Sequence, residues 1–397
     1  MPVAPTVRTV VRTTDNVLAQ RRVVDMADSI AQLEPEAAPL LRFTGRPSDS
    51  KALIKKDSCF SPEFQWIEDQ VLPGVDRINL AAGYGAAATS LVVDNGSYFR
   101  TRDIVHVPRT NEIMRLTGVT TATNTLTATR GYAGSTAAAL VDNDELIILG
   151  TAMEEASSAV DTRSTLEVRV RNYTQIFRRS WLLSDTEMRS KLYGGPDRPY
   201  QRKKQAIEFA KSIEWAFMFG QRTEDTTTLT TPIRTTGGLR QFITQNVTNM
   251  NGQVLAEPTW DQFLATGQRY PGNQGAKVVV HSALIGRAVS SWAKGRMMIT
   301  NPRSEEYGMT INTYHAPNGS VNLVRHWLLE GDEYSGWAFM LHMPALKYRY
   351  LDGSDVKLWA DTQAPDYHGV RDEMIATVGL QVEWDDNHSI LRGVGGY

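Results

Sequence analysis

The residues best suited to chemistry are Asp385, Asp386, Asn387 and His388, which follow one another near the end of the chain. Two carboxylates and an imidazole so close together could hold a divalent ion. Neighbouring residues on a strand point to opposite faces, so both carboxylates converge only if the chain turns there. Asp-Asp-Asn is itself ordinary turn chemistry, because short polar side chains bond their own backbone. A turn is therefore expected, with a metal-assisted hydrolase built on Asp385, Asp386 or His388 as the alternative. His281 precedes Ser282 at a strand-to-helix junction, a place that suits a nucleophile and its base. No Gly-x-Ser-x-Gly elbow and no acid accompany them. His326 and His342 fall in strand patterns, where a structural role is expected. Gly83-Tyr84-Gly85 lacks the third glycine and the lysine of a phosphate-cradling loop. Arg163, Arg169, Arg171, Arg178 and Arg179 form a basic run with Tyr173 and Phe177 between them. Such a row could track a phosphate backbone and stack bases. Glu154, Glu155, Asp161 and Glu167 lie close by, which favours pairing with acidic groups of the same chain or of neighbouring subunits. These arginines, with Glu154 and Glu155, are the candidate inter-subunit contacts. Nothing amounts to a catalytic constellation, so no catalytic, cofactor or metal residue is assigned.

The elements that carry these side chains centre on residues 165–220. Over 165–170, Leu166, Val168 and Val170 alternate with Glu167 and Arg169, the period of a half-buried strand. The phase breaks at Asn172-Tyr173 and resumes as an extended segment over 174–183. Ser184 with Glu187 predicts a capping box and a short helix, ended by Gly194. Asp197 and Pro199 open a second helix that reaches Phe219. Its first half is solvated, with Lys204–Glu208 and Lys211–Glu214 at helical spacing. Its second half is apolar apart from Glu214 and must lie inside a core, with Ile213, Trp215, Phe217 and Phe219 as the buried set. An exposed basic arm joined to a helix that enters a core suits a subunit reaching over its neighbours better than a self-contained enzyme.

A chain of 397 residues has room for two or three domains. Its net charge of -2 selects neither an acidic nor a basic partner. The single Cys59 excludes an internal disulfide framework and a cysteine-based zinc site. Arg8, Arg12, Arg21 and Arg22, with no apolar signal core, add to an expectation of cytoplasmic synthesis. No apolar run is long enough to span a bilayer. Residues 1–23 are expected to be an arm that orders against another subunit, with a frayed terminus as the alternative. A helical pattern follows over 24–41, broken at Pro35, and Phe60, Phe64, Trp66 and Ile67 open a core. Residues 75–150 carry short β-like runs between turn signals, the mark of a small all-β module. Asp94-Asn95-Gly96 predicts a hairpin within it. Further on, Thr259 and Gln262 predict a capping box ahead of a helix over 260–270. A strand over 277–280, a helix over 282–293 and strands over 310–314, 321–328, 337–341 and 346–351 complete an α+β unit. Met374, Ala376, Val378, Leu380, Val382 and Trp384 then alternate along one long strand.

Asn172-Tyr173-Thr174-Gln175-Ile176-Phe177, then Ser184-Asp185-Thr186, the helix over 200–219 and Arg234-Thr235-Thr236-Gly237-Gly238-Leu239 follow in a telling order. In that order and spacing the chain resembles the major capsid proteins of tailed bacteriophages, from about residue 60 to its C-terminus. Thr127-Ala128-Thr129-Arg130-Gly131-Tyr132-Ala133-Gly134 resembles a motif that recurs in phage structural proteins. The resemblance implies the α+β fold of the Hong Kong 97 type. An N-terminal arm would take residues 1–50. An extended loop would take 71–183, with the all-β module inserted at about 75–150. A peripheral domain with the spine helix would take 51–70, 184–257 and 351–397, and an axial domain 258–350. The implied function is a major capsid protein, not an enzyme, that self-assembles as hexamers and pentamers into an icosahedral head. Packaged double-stranded DNA would meet its inner face without sequence preference, and scaffolding, portal and decoration proteins would be its partners. No cofactor and no membrane are implied; synthesis in the host cytoplasm would end in the virion. Some relatives crosslink a lysine of the extended loop to a neighbour's asparagine. No lysine occurs from 57 to 190, so the contacts are expected to be non-covalent. Some relatives also carry a cleavable scaffolding segment, and here scaffolding is expected to be separate or already removed. A tail or decoration protein with a receptor- or glycan-binding β module is the alternative.

Overall fold

The computed structural model describes residues 38–45, 53–157, 162–192, 195–227, 231–269, 277–292, 297–298, 311–316 and 319–396. The expected arm over 1–23, most of the helical pattern over 24–41, and Gly194 lie outside them. The chain divides into two compact units, one built from residues up to 65 with 171–397, the other from 66–170.

The smaller unit is all-β, as its turn signals foretell. Its strands are Val75–Arg77, Ser90–Val92, Asp103–Val107, Glu112–Thr120, Thr125–Thr129 and Glu145–Thr151. Across the sheet they run 75–77, 145–151, 103–107, 112–120, 125–129 and 90–92, each antiparallel to the next. A bridge between Ile78 and Val93 joins the two outermost strands, so the sheet closes on itself and its edges are removed. Leu91, Val105, Val107, Met114, Leu116, Leu126 and Leu146 fill the interior. The expected hairpin at 94–96 does not form: Asn95 has φ -136 and Gly96–Tyr98 is a 3-10 turn. Two long-range bonds hold the segment instead, from Asn95 N–H to Asp76 Oδ2 at 2.8 Å and from Gly96 N–H to Asn124 Oδ1 at 3.0 Å. Glycine is needed at 96 for close approach, since a Cβ there would lie 2.9 Å from Asn124 Cα.

The larger unit holds a small antiparallel pair, Thr223–Asp225 with Ile233–Thr235, and two large sheets. One orders strands 44–45, 54–59, 346–351, 369–382 and 175–184, with 357–359 also paired to 369–382. The other has seven strands in the order 247–249, 389–392, 338–342, 277–281, 319–325, 311–316 and 297–298. The helix Asp197–Phe219 matches its expected limits and packs on strands Gln175–Ser184 and Gly369–Val382. Phe177, Phe209, Ile213 and Phe217 share one core with Val278, Val280, Phe339, Tyr348, Ala376 and Val378. Helices Glu257–Gly267 and Ala283–Trp292 bury Trp260, Phe263, Ile285 and Val289 with Val279 and Met340 in a second core. Strand Lys277–His281 is therefore buried along its whole length.

Several boundaries shift for physical reasons. The strand expected over 165–170 runs as Val168–Tyr173 and pairs with Glu63–Glu68 in a two-stranded ribbon. Leu166 and Val168 are 86% and 62% exposed, so the alternation marks a face without a covering layer. Phe64 and Trp66 are buried, whereas Phe60 and Ile67 are exposed. The short helix spans Asp185–Arg189 and stops at Ser190, short of Gly194. Ser184 Oγ accepts the Glu187 N–H at 3.2 Å, the half of the capping box that secures the helix start. The helix expected from 260 begins at Glu257 with Ala256 as N-cap. Pro258 suits its first turn, where a missing N–H costs nothing. The long strand ends at Val382, and Trp384 turns left-handed with φ 61.

Candidate functional site

The arginine run is not one surface. Alternation along Gln175–Ser184 sends Arg178 and Arg179 to opposite faces. Arg178 Nε and Nη2 donate to the two Glu373 carboxylate oxygens at 2.5 and 3.0 Å. Those bonds hold the Glu373 carboxyl below its usual range. Arg179 reaches the long helix, donating to Gln205 Oε1 at 2.5 Å and pairing with Glu208. Glu208 therefore meets an arginine of the sheet, a partner beyond the Lys204 that helical spacing suggests. Arg171 lies 3.6 Å from Glu63, and Arg163 Nη1 donates to the Ser97 carbonyl at 2.8 Å. Glu154 sits between Arg102 and Arg115, at 3.8 and 3.5 Å. Arg169 and Glu155 are exposed and make no ion pair among the described residues.

The helix end is buried as its composition requires, though unevenly. Ile213 and Phe217 are fully enclosed. Trp215 and Phe219 are half-buried against Tyr334, with ring centroids at 5.4 and 4.3 Å. Glu214 is not on a solvated face: its side chain is 0% exposed. Its carboxylate accepts the N–H groups of Leu40 at 2.6 Å and Leu41 at 3.0 Å. His326 Nε2 lies 2.8 Å from the same carboxylate. His326 Nδ1 accepts the Leu328 N–H at 3.2 Å, so Nε2 carries the proton and donates. The signal for this buried carboxylate was visible, since Glu214 interrupts an otherwise apolar half-helix. Its partners were not.

The sequence 385–388 is a turn. Asp385 accepts from Thr244 N–H at 2.9 Å, Thr244 Oγ1 at 2.7 Å and Gln245 N–H at 3.2 Å. His388 is buried, accepts the His342 N–H on Nδ1 at 3.3 Å and donates from Nε2 to the Glu383 carbonyl at 3.2 Å. Burial pushes its pKa down to about 3, which keeps it neutral. Asp385 and His388 thus serve different partners. Among the described residues no three His, Cys, Asp or Glu side chains gather as a metal site. Beside this turn Lys277 is buried, and its Nζ donates to the carbonyls of Gly267 and Asn387. Burial lowers its pKa to about 8. His281 Nδ1 bonds the Ser282 carbonyl at 2.8 Å. The Ser282 hydroxyl bonds the Ser335 carbonyl, so the pair is not aligned as base and nucleophile.

In the barrel, the 127–134 motif closes a lock. Arg130 Nε and Nη2 meet the two Glu112 oxygens, both at 2.7 Å, with side chains 5% and 0% exposed. Glu112 also accepts the N–H groups of Gly131 and Ala138, each at 3.1 Å. Burial alone would raise the Glu112 pKa, but the bonds from Arg130, Ala138 and Gly131 outweigh it and the net shift is downward. The turn needs φ +63 at Gly131, which favours glycine. Gly83-Tyr84-Gly85 is likewise structural: the Tyr84 hydroxyl accepts the Val92 N–H at 2.8 Å.

Among the described residues these side chains serve structural partners, while other apolar groups stay exposed. No helix of the described residues is long and apolar enough to cross a membrane. Residues 7–395 match the family described as SU10 major capsid protein. The major capsid protein of Pseudomonas phage PaMx41 is 29% identical over 336 residues, covering 81% of this chain and 77% of that protein. A chain of Mycobacterium phage Ogopogo superposes with a TM-score of 0.51 at 9% identity, covering 96% of this chain and 99% of that one. A chain from the capsid of the native GTA particle gives 0.50 at 11% identity, covering 95% and 97%. These likenesses show the fold, which is the Hong Kong 97 type. The readings as a hydrolase and as a tail or decoration protein fall with the family match. The chain belongs to the SU10 major capsid protein family and is a structural subunit of a phage capsid, not an enzyme.

Proposed function

We propose that this subunit assembles as hexamers and pentamers into an icosahedral head around packaged double-stranded DNA, held by non-covalent contacts. The observation that carries the reading is large apolar side chains left open on strands, at Ile176 and Val168, and in the segments beside them, at Phe60 and Leu166. Phe60 is 88% exposed, Leu166 86%, Ile176 63% and Val168 62%. Exposed apolar groups grouped on and beside strands mark surfaces awaiting a partner, and shell subunits bury large obligate interfaces. Arg169 and Glu155 add unspent charge for the rim of such contacts. The lysine-free span from 57 to 190 supports strength without crosslinks. The arm over 1–50, the extended loop over 71–183, the peripheral domain over 51–70, 184–257 and 351–397, and the axial domain over 258–350 form the proposed division of labour. Scaffolding, portal and decoration proteins are the proposed partners, and assembly is placed in the host cytoplasm.

Two experiments test this. Particles from the full chain, boiled in detergent, should run as single chains on a gel; a ladder of covalent multimers would refute the non-covalent reading. Deleting residues 1–23 should leave a folded subunit that assembles poorly. Normal particles from the shortened chain would contradict the role given to the arm.

A further inference from the structure

We infer that Glu214 is a positioning residue for assembly: its buried carboxylate sets the register of residues 38–45, and so the position at which the chain before residue 38 is joined to them. The inference rests on the reading of that chain as an arm acting between subunits. A carboxyl group taken out of water is tolerated only when its oxygens find hydrogen-bond partners. Here the donors come from two distant parts of the sequence, the backbone of Leu40 and Leu41 and the ring of His326.

The geometry explains why the contact sets register rather than merely adding adhesion. Leu40 and Phe43 are buried in the large core, but apolar burial is not directional. Leu40 and Leu41 follow Pro39 in the short helix Pro39–Arg42. Their N–H groups lie in its first turn, where the helix itself offers no acceptor. Glu214 supplies that acceptor from the long helix. Slipping the chain by one residue would bring Pro39, which has no N–H, to one carboxylate oxygen and leave it unbonded. His326 holds the carboxylate in place, because its Nδ1 is occupied by the Leu328 N–H and only Nε2 is left to donate. Downstream, Thr44 and Gly45 pair in parallel with Ile54 and Lys55, so the same register determines how this edge of the sheet begins.

The test is hydrogen exchange of the unassembled full-length chain, read by mass spectrometry, beside particle yield by electron microscopy. In the wild type the amides of Leu40, Leu41 and Leu328 should be protected like that of Val279 in the core. E214Q keeps the volume but turns an N–H2 toward backbone donors. It should speed exchange at Leu40 and Leu41 by at least about tenfold, one hydrogen bond's worth, with Val279 still protected, and particle yield should fall. H326Q, whose amide can both donate and accept, should retain protection, whereas H326L should lose it at Leu328. Unprotected Leu40 and Leu41 amides in the wild type would overturn the anchor, even if E214Q does not fold. So would exchange in folded E214Q within twofold of wild type. Fast exchange with normal particles would overturn the link to assembly. A wild type that forms no particles would instead count against the proposed self-assembly.

Discussion

Replacing Glu112 by glutamine removes a charge from the barrel interior while keeping its volume. The wild-type carboxylate accepts two bonds from Arg130 at 2.7 Å and two backbone bonds at 3.1 Å. In E112Q one of these acceptors becomes a donor facing a donor, and the Arg130 charge loses its counter-charge. Breaking a buried ion pair on one side costs about 3–5 kcal/mol. Arg130 keeps bonds to the carbonyls of Ala88 at 3.0 Å and Ala138 at 2.5 Å, so the lower end, about 3 kcal/mol, is expected. R130M should cost a similar amount by stranding Glu112. The double variant should lose less than the sum, by about 2 kcal/mol, because the second change removes the group the first left unpaired. The Glu112 pKa is depressed on folding. Its stabilisation is therefore full above the ordinary carboxyl pKa and lost as pH falls through the folded value, and E112Q should lack that acid dependence. Urea unfolding of unassembled chain, followed by exchange at the barrel-core amides of Val105, Met114 and Leu126, measures both. A cost for E112Q below about 1 kcal/mol, or a double variant equal to the sum, would refute the lock.

Phe217→Ala should cost about 3–5 kcal/mol, since the ring is buried and meets Tyr348 edge-on at 5.7 Å. Trp215→Ala should cost about half as much, because that ring is only half-buried; equal shifts in denaturant midpoint would contradict the packing. Asp372 is held far below its ordinary pKa; burial opposes this, but bonds from Arg198 and Arg202 at 2.6–2.9 Å prevail. D372N should lower stability by about 2 kcal/mol at neutral pH and much less at pH 2, well below the ordinary carboxyl pKa, where the wild type has already lost most of the pair's stabilisation. Lys277 releases its proton at about 8 in the fold and 10.5 as an ordinary lysine. The unfolded chain binds more protons between those values, so stability should rise with pH there by up to about 3 kcal/mol. K277M should flatten that rise in unfolding midpoints taken at pH 7.5 and 10.

Local order was legible wherever one element explains itself. Asp197 and Pro199 at one end and the apolar run to Phe219 at the other delimit the long helix, and the alternation from Met374 to Val382 marks the long strand. What escaped was complementarity between distant residues. Glu214 is out of place on its own helix, but nothing near it names His326 or Leu40. Arg130 stands in a recognisable motif, yet its partner Glu112 belongs to another strand. Periodicity also reports which side chains share a face without saying whether anything covers it, as Leu166 and Val168 show. Strand membership likewise waits for tertiary structure: Leu346–Leu351 pairs with the long strand, while Ser389–Arg392 joins the seven-stranded sheet.

The most direct measurement is electron microscopy of the purified full-length protein at assembly concentrations. Closed shells whose surface lattice shows five- and six-fold clusters of this chain are the expected result. A uniform population of single chains, with the ribbon and strands around Leu166 and Ile176 covered by the chain's own residues, would contradict it.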